Sequence, residues 1–165
     1  MAVREIRRKN RAQTEAEARE ILARAEHGVL ATVGEDGWPY AVPLNQVVIC
    51  DALYAHCALE GHKLQNIAHE ERVSYCAIAS ARVVPATLST LYESAIVFGR
   101  AALVRDADEK RCVLKLLTER FCGRGEEQDK RFEEHMRKNR DGQDTAIVRI
   151  AIERITGKAH RENPE

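Results

Sequence analysis

The alternation of apolar and polar positions predicts a protein built mainly of β-strands with short helices between them. Apolar residues recur at helical spacing over residues 14–26, behind a capping-box pattern formed by Thr14 and Glu17. Short apolar or alternating runs follow at 28–33, 40–48, 53–57, 73–79, 93–104 and 145–155. Because mostly short connections join these runs, we expect a six-stranded antiparallel barrel with flanking helices.

Three further segments modify this picture. Helical patterns are predicted at 62–70, from 106 through the apolar positions up to 117, and in a highly charged stretch that ends near 139. Periodicity lapses around Pro85, so residues 82–90 are predicted to form an irregular lid. Pro43 interrupts the second strand, which places that strand at a sheet edge or a bulge and leaves backbone groups available to a ligand.

Length and charge narrow the class of protein. A chain of 165 residues suits one domain, with a basic arm at 1–13 and a C-terminal tail at 156–165. The 26 basic and 26 acidic residues cancel, which argues against nucleic acid or an anionic membrane as a partner. No signal peptide or membrane span is apparent, and the five cysteines form no C-x-x-C pair, so we expect a cytoplasmic protein with reduced thiols.

The strongest chemical signal is a strand that runs through a glycine into a helix beginning with His and Lys. Gly61, His62 and Lys63 form this motif, called the phosphate corner below. The first turn of a helix has unpaired N–H groups and a positive dipole end, so the two side chains and the backbone can converge on a phosphate. The alternative is that Gly61 only turns the chain and that His62 and Lys63 are solvated.

Four ordered motifs, at 29–32 with 40–45, 53–56 with 61–67, 93–101, and 155–158, resemble those of the pyridoxamine-phosphate-oxidase-like flavoproteins. The nitroimidazole-resistance branch of that family is the most similar. The resemblance implies a split β-barrel homodimer that binds FMN in a groove at the subunit interface, with contacts from both chains.

The resemblance also implies site residues, which fall into four groups. The FMN phosphate would contact Gly61, His62 and Lys63, supported by Asn66, and the isoalloxazine edge would lie along Val42, Pro43, Leu44 and Asn45. The pocket would be lined by Thr32 and His56, which are expected on neighbouring strands. The partner subunit would approach the cofactor at Glu93 and Ser94, with Tyr92 beside them. His62 is the candidate catalytic residue because the corresponding histidine of that branch lies near the cofactor.

Two departures from the family pattern matter. The oxidase proper has Arg-Lys in the phosphate corner, whereas this chain has His62-Lys63, so one of the two charges depends on pH and phosphate affinity should weaken as pH rises. The chain also lacks the longer basic and aromatic C-terminal segment that holds pyridoxal phosphate in the oxidase. Oxidation of vitamin B6 is therefore not expected.

The sequence gives little support to a zinc site or a cysteine nucleophile. His56, Cys57, His62 and His69 match no zinc spacing. His56 and Cys57 are consecutive strand residues that point to opposite faces, so they cannot form a nucleophile pair.

The leading hypothesis is an FMN-dependent oxidoreductase that reduces a small planar substrate, such as a nitroaromatic, entering beneath residues 82–90. Two alternatives remain open: a non-catalytic flavin-binding or flavin-storage protein, and a haem-binding protein with His56 or His62 as axial ligand.

Overall fold

The computed structural model describes residues 5–162. The strands are β1 (Ala12–Gln13), β2 (His27–Val33), β3 (Pro39–Asn45), β4 (Val47–Ile49), β5 (Ala52–Cys57), β6 (Arg72–Val84), β7 (Ser89–Leu103) and β8 (Ala146–His160). The α-helices are α1 (Glu15–Arg24), α2 (His62–His69), α3 (Ala107–Cys122) and α4 (Glu126–Lys138), and short 3-10 turns occupy Lys9–Arg11, Pro85–Thr87 and Arg140–Gly142.

The strands form one antiparallel sheet in the order β3-β2-β6-β7-β8-β5-β4, with β1 added to β8. The sheet curls so that β3 contacts β5, although the two strands do not pair. The predicted class, a mainly β antiparallel half-barrel with flanking helices, is confirmed. The predicted count of six strands is too low, because β1 and β4 have only two and three residues and give no readable periodicity.

Helix α1 begins where the capping box predicts. The backbone N–H of Glu17 donates to Thr14 Oγ1 at 3.3 Å, and the backbone N–H of Thr14 donates to Glu17 Oε2 at 2.7 Å. Its apolar face, Ala18, Ile21 and Leu22, is fully buried. The helix therefore covers the concave side of the sheet and fills the barrel.

Strand β5 separates two apolar clusters because its side chains alternate between two faces. Leu53 points into the main core beneath α1, where Leu30, Tyr75, Val97 and Ile150 also pack. Tyr54 points to the other side, where it packs with Val113 and Leu117 of α3. Residues of β5 that alternate with Leu53 therefore face the barrel, and those that alternate with Tyr54 face helices α3 and α4.

A buried polar network holds the end of β3 in place. The Tyr75 hydroxyl lies 2.8 Å from both the Leu44 carbonyl oxygen and Gln46 Oε1. Gln46 Nε2 donates to the Ala25 carbonyl at 2.7 Å, and Arg120 of α3 donates to the same oxygen at 2.7 Å. Since these groups are removed from water, each is costly to leave unpaired, so the network fixes β3 against α1 and α3.

The structure corrects three predictions about strand layout. Residues 82–90 are not an irregular lid: β6 continues to Val84, a 3-10 turn starting at Pro85 reverses the chain, and β7 begins at Ser89. Strand β8 continues to His160, five residues past its predicted end. Thr32 and His56 are not on neighbouring strands, because β6, β7 and β8 lie between β2 and β5.

Beyond these elements, the predicted arm and tail include residues 1–4 and 163–165, which lie outside the described residues. Within residues 5–162, no helix is both long and apolar enough to cross a membrane.

Candidate functional site

The phosphate corner forms the start of α2. Gly61 precedes the helix with φ of 135°, a backbone conformation that side chains rarely adopt, and no side chain caps the helix at this point. The Gly61 carbonyl accepts from the N–H groups of Leu64 at 2.9 Å and Gln65 at 3.2 Å, which starts the helical hydrogen-bond pattern. The helix geometry leaves the N–H groups of His62 and Lys63 without intrahelical partners. The corner therefore offers the donors that an anion needs.

The corner lies against the free edge of the sheet. The rings of His62 and Tyr40 are stacked, with centroids 4.2 Å apart and planes inclined by 38°. Tyr40 is the second residue of β3, which is the terminal strand of the sheet. Of the two positions predicted for Pro43, a sheet edge or a bulge, the structure shows the edge. His62 is thus within contact of the strand predicted to run along the flavin ring.

Lys63 lies on the other side of the corner, toward the end of β5. Burial raises the pKa of the Cys57 thiol, and the nearby positive charge of Lys63 offsets only part of that increase. Cys57 therefore stays protonated at neutral pH and is not an activated nucleophile. Lys63 itself is half-buried, which strengthens its interaction with any anion at the corner.

Asn66 and Thr32 are paired with each other. Asn66 Nδ2 donates to Thr32 Oγ1 at 2.9 Å, and both residues are almost fully buried. A Cβ at Gly34 would lie 2.8 Å from Asn66 Oδ1, so the glycine leaves room for this amide. The pair joins α2 to β2, and it fixes the position of the phosphate corner from beneath.

His56 lies apart from the corner. Its side chain lies on the same face of β5 as that of Tyr54, toward α3 and α4, whereas the side chain of Cys57 faces the barrel. Burial lowers the pKa of His56, and the charge of His135 on α4 lowers it further. The structure therefore brings together His62, Lys63 and β3, and it places His56 on a different face.

A groove of about 540 Å³ flanks α2 on the side away from Lys63. Its lining includes His62 and His69 together with the acidic residues Glu35 and Asp36 of the β2–β3 turn. Carboxylates repel a phosphate, so an anion at the corner is favoured on the side of Lys63. The structure thus indicates from which side an anion would bind the corner, which the sequence alone does not.

The residues predicted along the isoalloxazine edge divide between two faces of β3. Val42 and Leu44 face the barrel and pack against its core, whereas Pro43 and Asn45 face outward. Pro43 pairs with Val29, and Val29 continues across the sheet to Cys76, Ile96 and Thr156. Because directly opposed residues share a face, these residues form a row on the convex side of the sheet, called the outer face below.

Glu93 and Ser94 also point to opposite sides of the sheet. Ser94 lies on the outer face, with its hydroxyl 3.4 Å from the Lys158 carbonyl oxygen. Glu93 points inward with its side chain only 13% exposed, where it accepts hydrogen bonds from Arg24 at 3.0 Å and Arg161 at 2.7 Å. Glu93 therefore holds α1 and the end of β8 to the sheet.

We predict that Glu93 makes stability depend on pH. Burial raises the pKa of Glu93, but hydrogen bonds from Arg161 and Arg24 lower it by more, so the net pKa lies below its ordinary value. A lowered folded-state pKa stabilises the protein above the unfolded-state pKa, and this stabilisation is lost as pH falls through the folded-state pKa. Glu93→Gln should cost roughly 1–3 kcal/mol in urea unfolding at pH 7, with the difference shrinking below about pH 4.5.

Glu153→Gln is the matched control for that measurement. Glu153 also pairs with an arginine, Arg100, but its side chain is 51% exposed. Solvent-exposed pairs contribute little, so this variant should change stability by less than about 1 kcal/mol at either pH. A Glu93→Gln effect that is equally small, or that grows as pH falls, would contradict the assignment.

Sequence reasoning missed Tyr40 and Tyr75. Tyr40 stacks on His62, and Tyr75 hydrogen-bonds to the strand that adjoins the corner. Side chains alternate along β3, so Tyr40 lies on the same face as Val42 and Leu44, and the sequence could have indicated its place beside them. The Tyr75 contact depends on the pairing of β6 with β2, and the sequence contains no signal for that pairing.

The fold and the corner define the class of protein: a curled antiparallel half-barrel with an uncapped helix start beside its free edge. The family model for pyridoxamine 5'-phosphate oxidase matches residues 14–159, so this chain belongs to that family. The family resemblance inferred from the sequence is thereby confirmed. The comparison with curated proteins finds no match.

Solved structures with the same fold include one described by antibiotic resistance and two described by the groups that they bind. A proposed 5-nitroimidazole antibiotic resistance protein from Bacteroides thetaiotaomicron is 20% identical with a TM-score of 0.70, covering 88% of this chain and 84% of that one. A FAD-binding protein from Mesorhizobium loti is 22% identical, with a TM-score of 0.65 and coverage of 92% and 98%. A FAD- and heme-binding protein from Mycobacterium smegmatis is 21% identical, with a TM-score of 0.70 and coverage of 94% and 76%. At these identities the similarity establishes the fold alone.

Proposed function

We propose that this protein is an FMN-binding flavoprotein that passes electrons to a small planar substrate. The observation that carries the proposal is the start of α2, where an uncapped helix end begins with His62 and Lys63. His62 stacks on Tyr40 of the edge strand β3, and Lys63 lies toward the end of β5. A phosphate held at this point would place an attached ring system along β3.

The residues present fit a flavin mononucleotide. A phosphate requires positive charge and N–H donors, which Lys63 and the helix start supply. A flavin ring requires hydrogen-bonding groups at its edge and apolar cover on its face, and these match the terminal strand around Pro43 and its half-buried neighbours Val42 and Leu44. FMN ends at the phosphate, whereas the adenosine part of FAD would continue past the corner. FAD would therefore need additional binding space beyond Lys63, and FMN would not.

The outer face supports the homodimer in the proposal. Val29, Ile78 and Ile96 are 38%, 53% and 37% exposed, and all three lie on the outer face with Pro43 and Cys76. Soluble monomers rarely expose a contiguous apolar patch of this kind. A second copy would cover it and would bring its own Ser94 toward the cofactor groove, as the family resemblance implies.

The protein's role in the reaction would be to bind and orient. A bound flavin would supply the hydride and electron chemistry. His62 would donate a hydrogen bond near the phosphate and the ring, Lys63 would hold the phosphate, and the apolar outer face of the partner would exclude water. By its likeness to the nitroimidazole-resistance structure, we propose a nitroaromatic as substrate. The sequence expectation of reduced thiols supports the cytoplasm as the proposed location.

The absorbance of the freshly purified protein tests the cofactor. We expect flavin bands, one FMN per chain on release by denaturation, and oxidation of NADH or NADPH in the presence of a nitroimidazole. Bound FMN without such turnover would leave a flavin-storage function in place of the enzyme. A Soret band without flavin would instead establish a haem protein, and a colourless protein that binds neither would end the proposal.

A further inference from the structure

The groove on the side of α2 away from Lys63 is opposite in charge to the phosphate corner. Its volume of about 540 Å³ lies in the range of small-molecule sites, and it is called the acidic groove here. The carboxylates of Glu35 and Asp36 line it, and among the described residues no lysine or arginine does. Neither carboxylate forms an ion pair within residues 5–162. The groove therefore favours a cation over an anion.

A buried amide oxygen is a second and independent indication of a ligand. Asn66 also lines the acidic groove, and it is only 3% exposed. Its Nδ2 donates to Thr32 Oγ1 at 2.9 Å, but its Oδ1 accepts no hydrogen bond from residues 5–162. Acceptors on buried side chains ordinarily have a donor. A ligand with an N–H group would supply the donor that Asn66 lacks.

The Asn66 oxygen can be reached from the acidic groove. Among the side chains within residues 5–162 that are not exposed, Gln13 Oε1 is the one polar atom that is both completely buried and unpaired. Asn66 Oδ1 is unpaired as well, so it must retain some accessible surface, and the groove is the cavity that Asn66 lines. Gly34 keeps this approach open, because a Cβ there would lie only 2.8 Å from Asn66 Oδ1.

Asp36 presents a carboxylate oxygen on the same side of Gly34. The position of a Gly34 Cβ lies 3.1 Å from Asp36 Oδ1 and 2.8 Å from Asn66 Oδ1, so the two oxygens flank one position. Two acceptors placed in this way suit a ligand with more than one N–H donor. Within residues 5–162, no three His, Cys, Asp or Glu side chains are grouped to hold a metal ion. An organic cation therefore fits the groove better than a metal ion does.

We infer that the acidic groove binds an organic ammonium ion. The N–H groups of the ligand donate to Asn66 Oδ1 and to the carboxylate of Asp36, and Glu35 adds negative charge beside them. Uncharged imidazoles of His62 and His69, which also line the groove, can accept further hydrogen bonds through a ring nitrogen. This site goes beyond the proposed flavin function and does not depend on it, because the flavin phosphate would bind on the opposite side of α2.

The test is an NMR titration of the ¹⁵N-labelled full chain at pH 7.5, where a histidine is ordinarily uncharged. The probes are n-butylammonium, n-butyltrimethylammonium, which has the same charge without N–H donors, and butyrate, which has the opposite charge. Shifts should centre on the amides of Gly34, Asp36 and Trp38, whose N–H donates to Asp36 Oδ1 at 3.0 Å. n-Butylammonium should bind at least about fivefold more tightly than the trimethyl analogue, because only n-butylammonium can donate to the two oxygens.

Asp36→Asn tests the carboxylate without removing the turn. It should weaken n-butylammonium binding by about tenfold or more, as expected for the loss of one charge-assisted hydrogen bond. The asparagine keeps a side-chain oxygen for the Trp38 N–H, so the turn between β2 and β3 should stay folded. Asp51→Asn is the matched control, because Asp51 lies in the turn between β4 and β5 and does not line the groove. It should leave binding unaltered.

Gly34→Ala tests the approach to the Asn66 oxygen. The added methyl group would occupy the position that the two oxygens flank. Binding of n-butylammonium should fall to the level of the trimethyl analogue, while circular dichroism shows the sheet unchanged. The inference is overturned if n-butylammonium and its trimethyl analogue bind equally to the native protein, or if butyrate binds as tightly as n-butylammonium. It is also overturned if folded Gly34→Ala binds like the native protein, or if Asp51→Asn weakens binding as much as Asp36→Asn.

Discussion

Replacing Lys63 with alanine should weaken FMN binding by about 1.5–3 kcal/mol, which corresponds to roughly a 10- to 100-fold increase in dissociation constant. Lys63 is half-buried at the first turn of α2, where no side chain caps the helix. The remaining donors at the corner are backbone N–H groups and His62, whose charge depends on pH. Fluorescence titration of the apoprotein with FMN would measure the change.

Riboflavin provides the internal control for the Lys63 prediction, because it has the same ring system without the phosphate. The native protein should bind riboflavin much more weakly than FMN, and Lys63→Ala should leave riboflavin affinity nearly unchanged. Lys63→Arg should retain most of the FMN affinity, since it keeps the charge. If native protein bound FMN and riboflavin equally, or if Lys63→Ala weakened both by the same factor, the phosphate would not lie at this corner.

The parts of the fold that were predicted correctly depend on contacts close in sequence. The capping box that starts α1 joins residues three positions apart, and it forms as expected between Thr14 and Glu17. Pro43 lacks a backbone donor, which limited its strand to a sheet edge or a bulge, and the structure places it at the edge. The turn into α2 likewise depends on Gly61 and the residues directly after it.

The errors arise where distant segments decide the outcome. Residues 82–90 lack periodicity, yet β6 and β7 pair with each other up to Val84 and Ser89, and the backbone hydrogen bonds of that pairing extend the strands. The β-bulge near Ala79 also shifts the alternation of side chains between the two faces of β6, so the segment that follows it shows no regular strand pattern in the sequence. The placement of Thr32 relative to His56 failed because the order of strands in a sheet is not encoded by the order of strands in the chain.

The candidate site shows the same division. The helix start after Gly61 could be predicted because a glycine followed by a helical pattern is a local signal, whereas the binding of a phosphate there stays a prediction. The pairing of Asn66 with Thr32 could not, because it joins residues 34 positions apart through the packing of α2 on β2. As a result, the structure gives Asn66 a definite contact beneath the corner, while its predicted support of the phosphate stays a prediction.

Placing a carboxylate in the middle of the outer face should separate the proposed homodimer. Ile96 is 37% exposed and lies in the row that runs from Pro43 to Thr156. In a two-fold dimer one substitution enters the interface twice, and each unpaired buried carboxylate costs several kcal/mol. We expect Ile96→Asp to raise the dimer dissociation constant by about 100-fold or more, which light scattering at micromolar concentration would detect.

The same variant connects assembly to cofactor binding. If the flavin groove needs both subunits, Ile96→Asp should lose FMN together with the dimer, while circular dichroism shows the sheet intact. Leu103→Asp is the matched control, because Leu103 is 43% exposed on the same strand but has the opposite parity to Ile96. It should leave both the dimer and FMN binding unchanged. A monomeric Ile96→Asp variant that binds FMN as tightly as the native protein would show that a single chain forms the whole site, and an unaltered dimer would show that the two copies meet elsewhere.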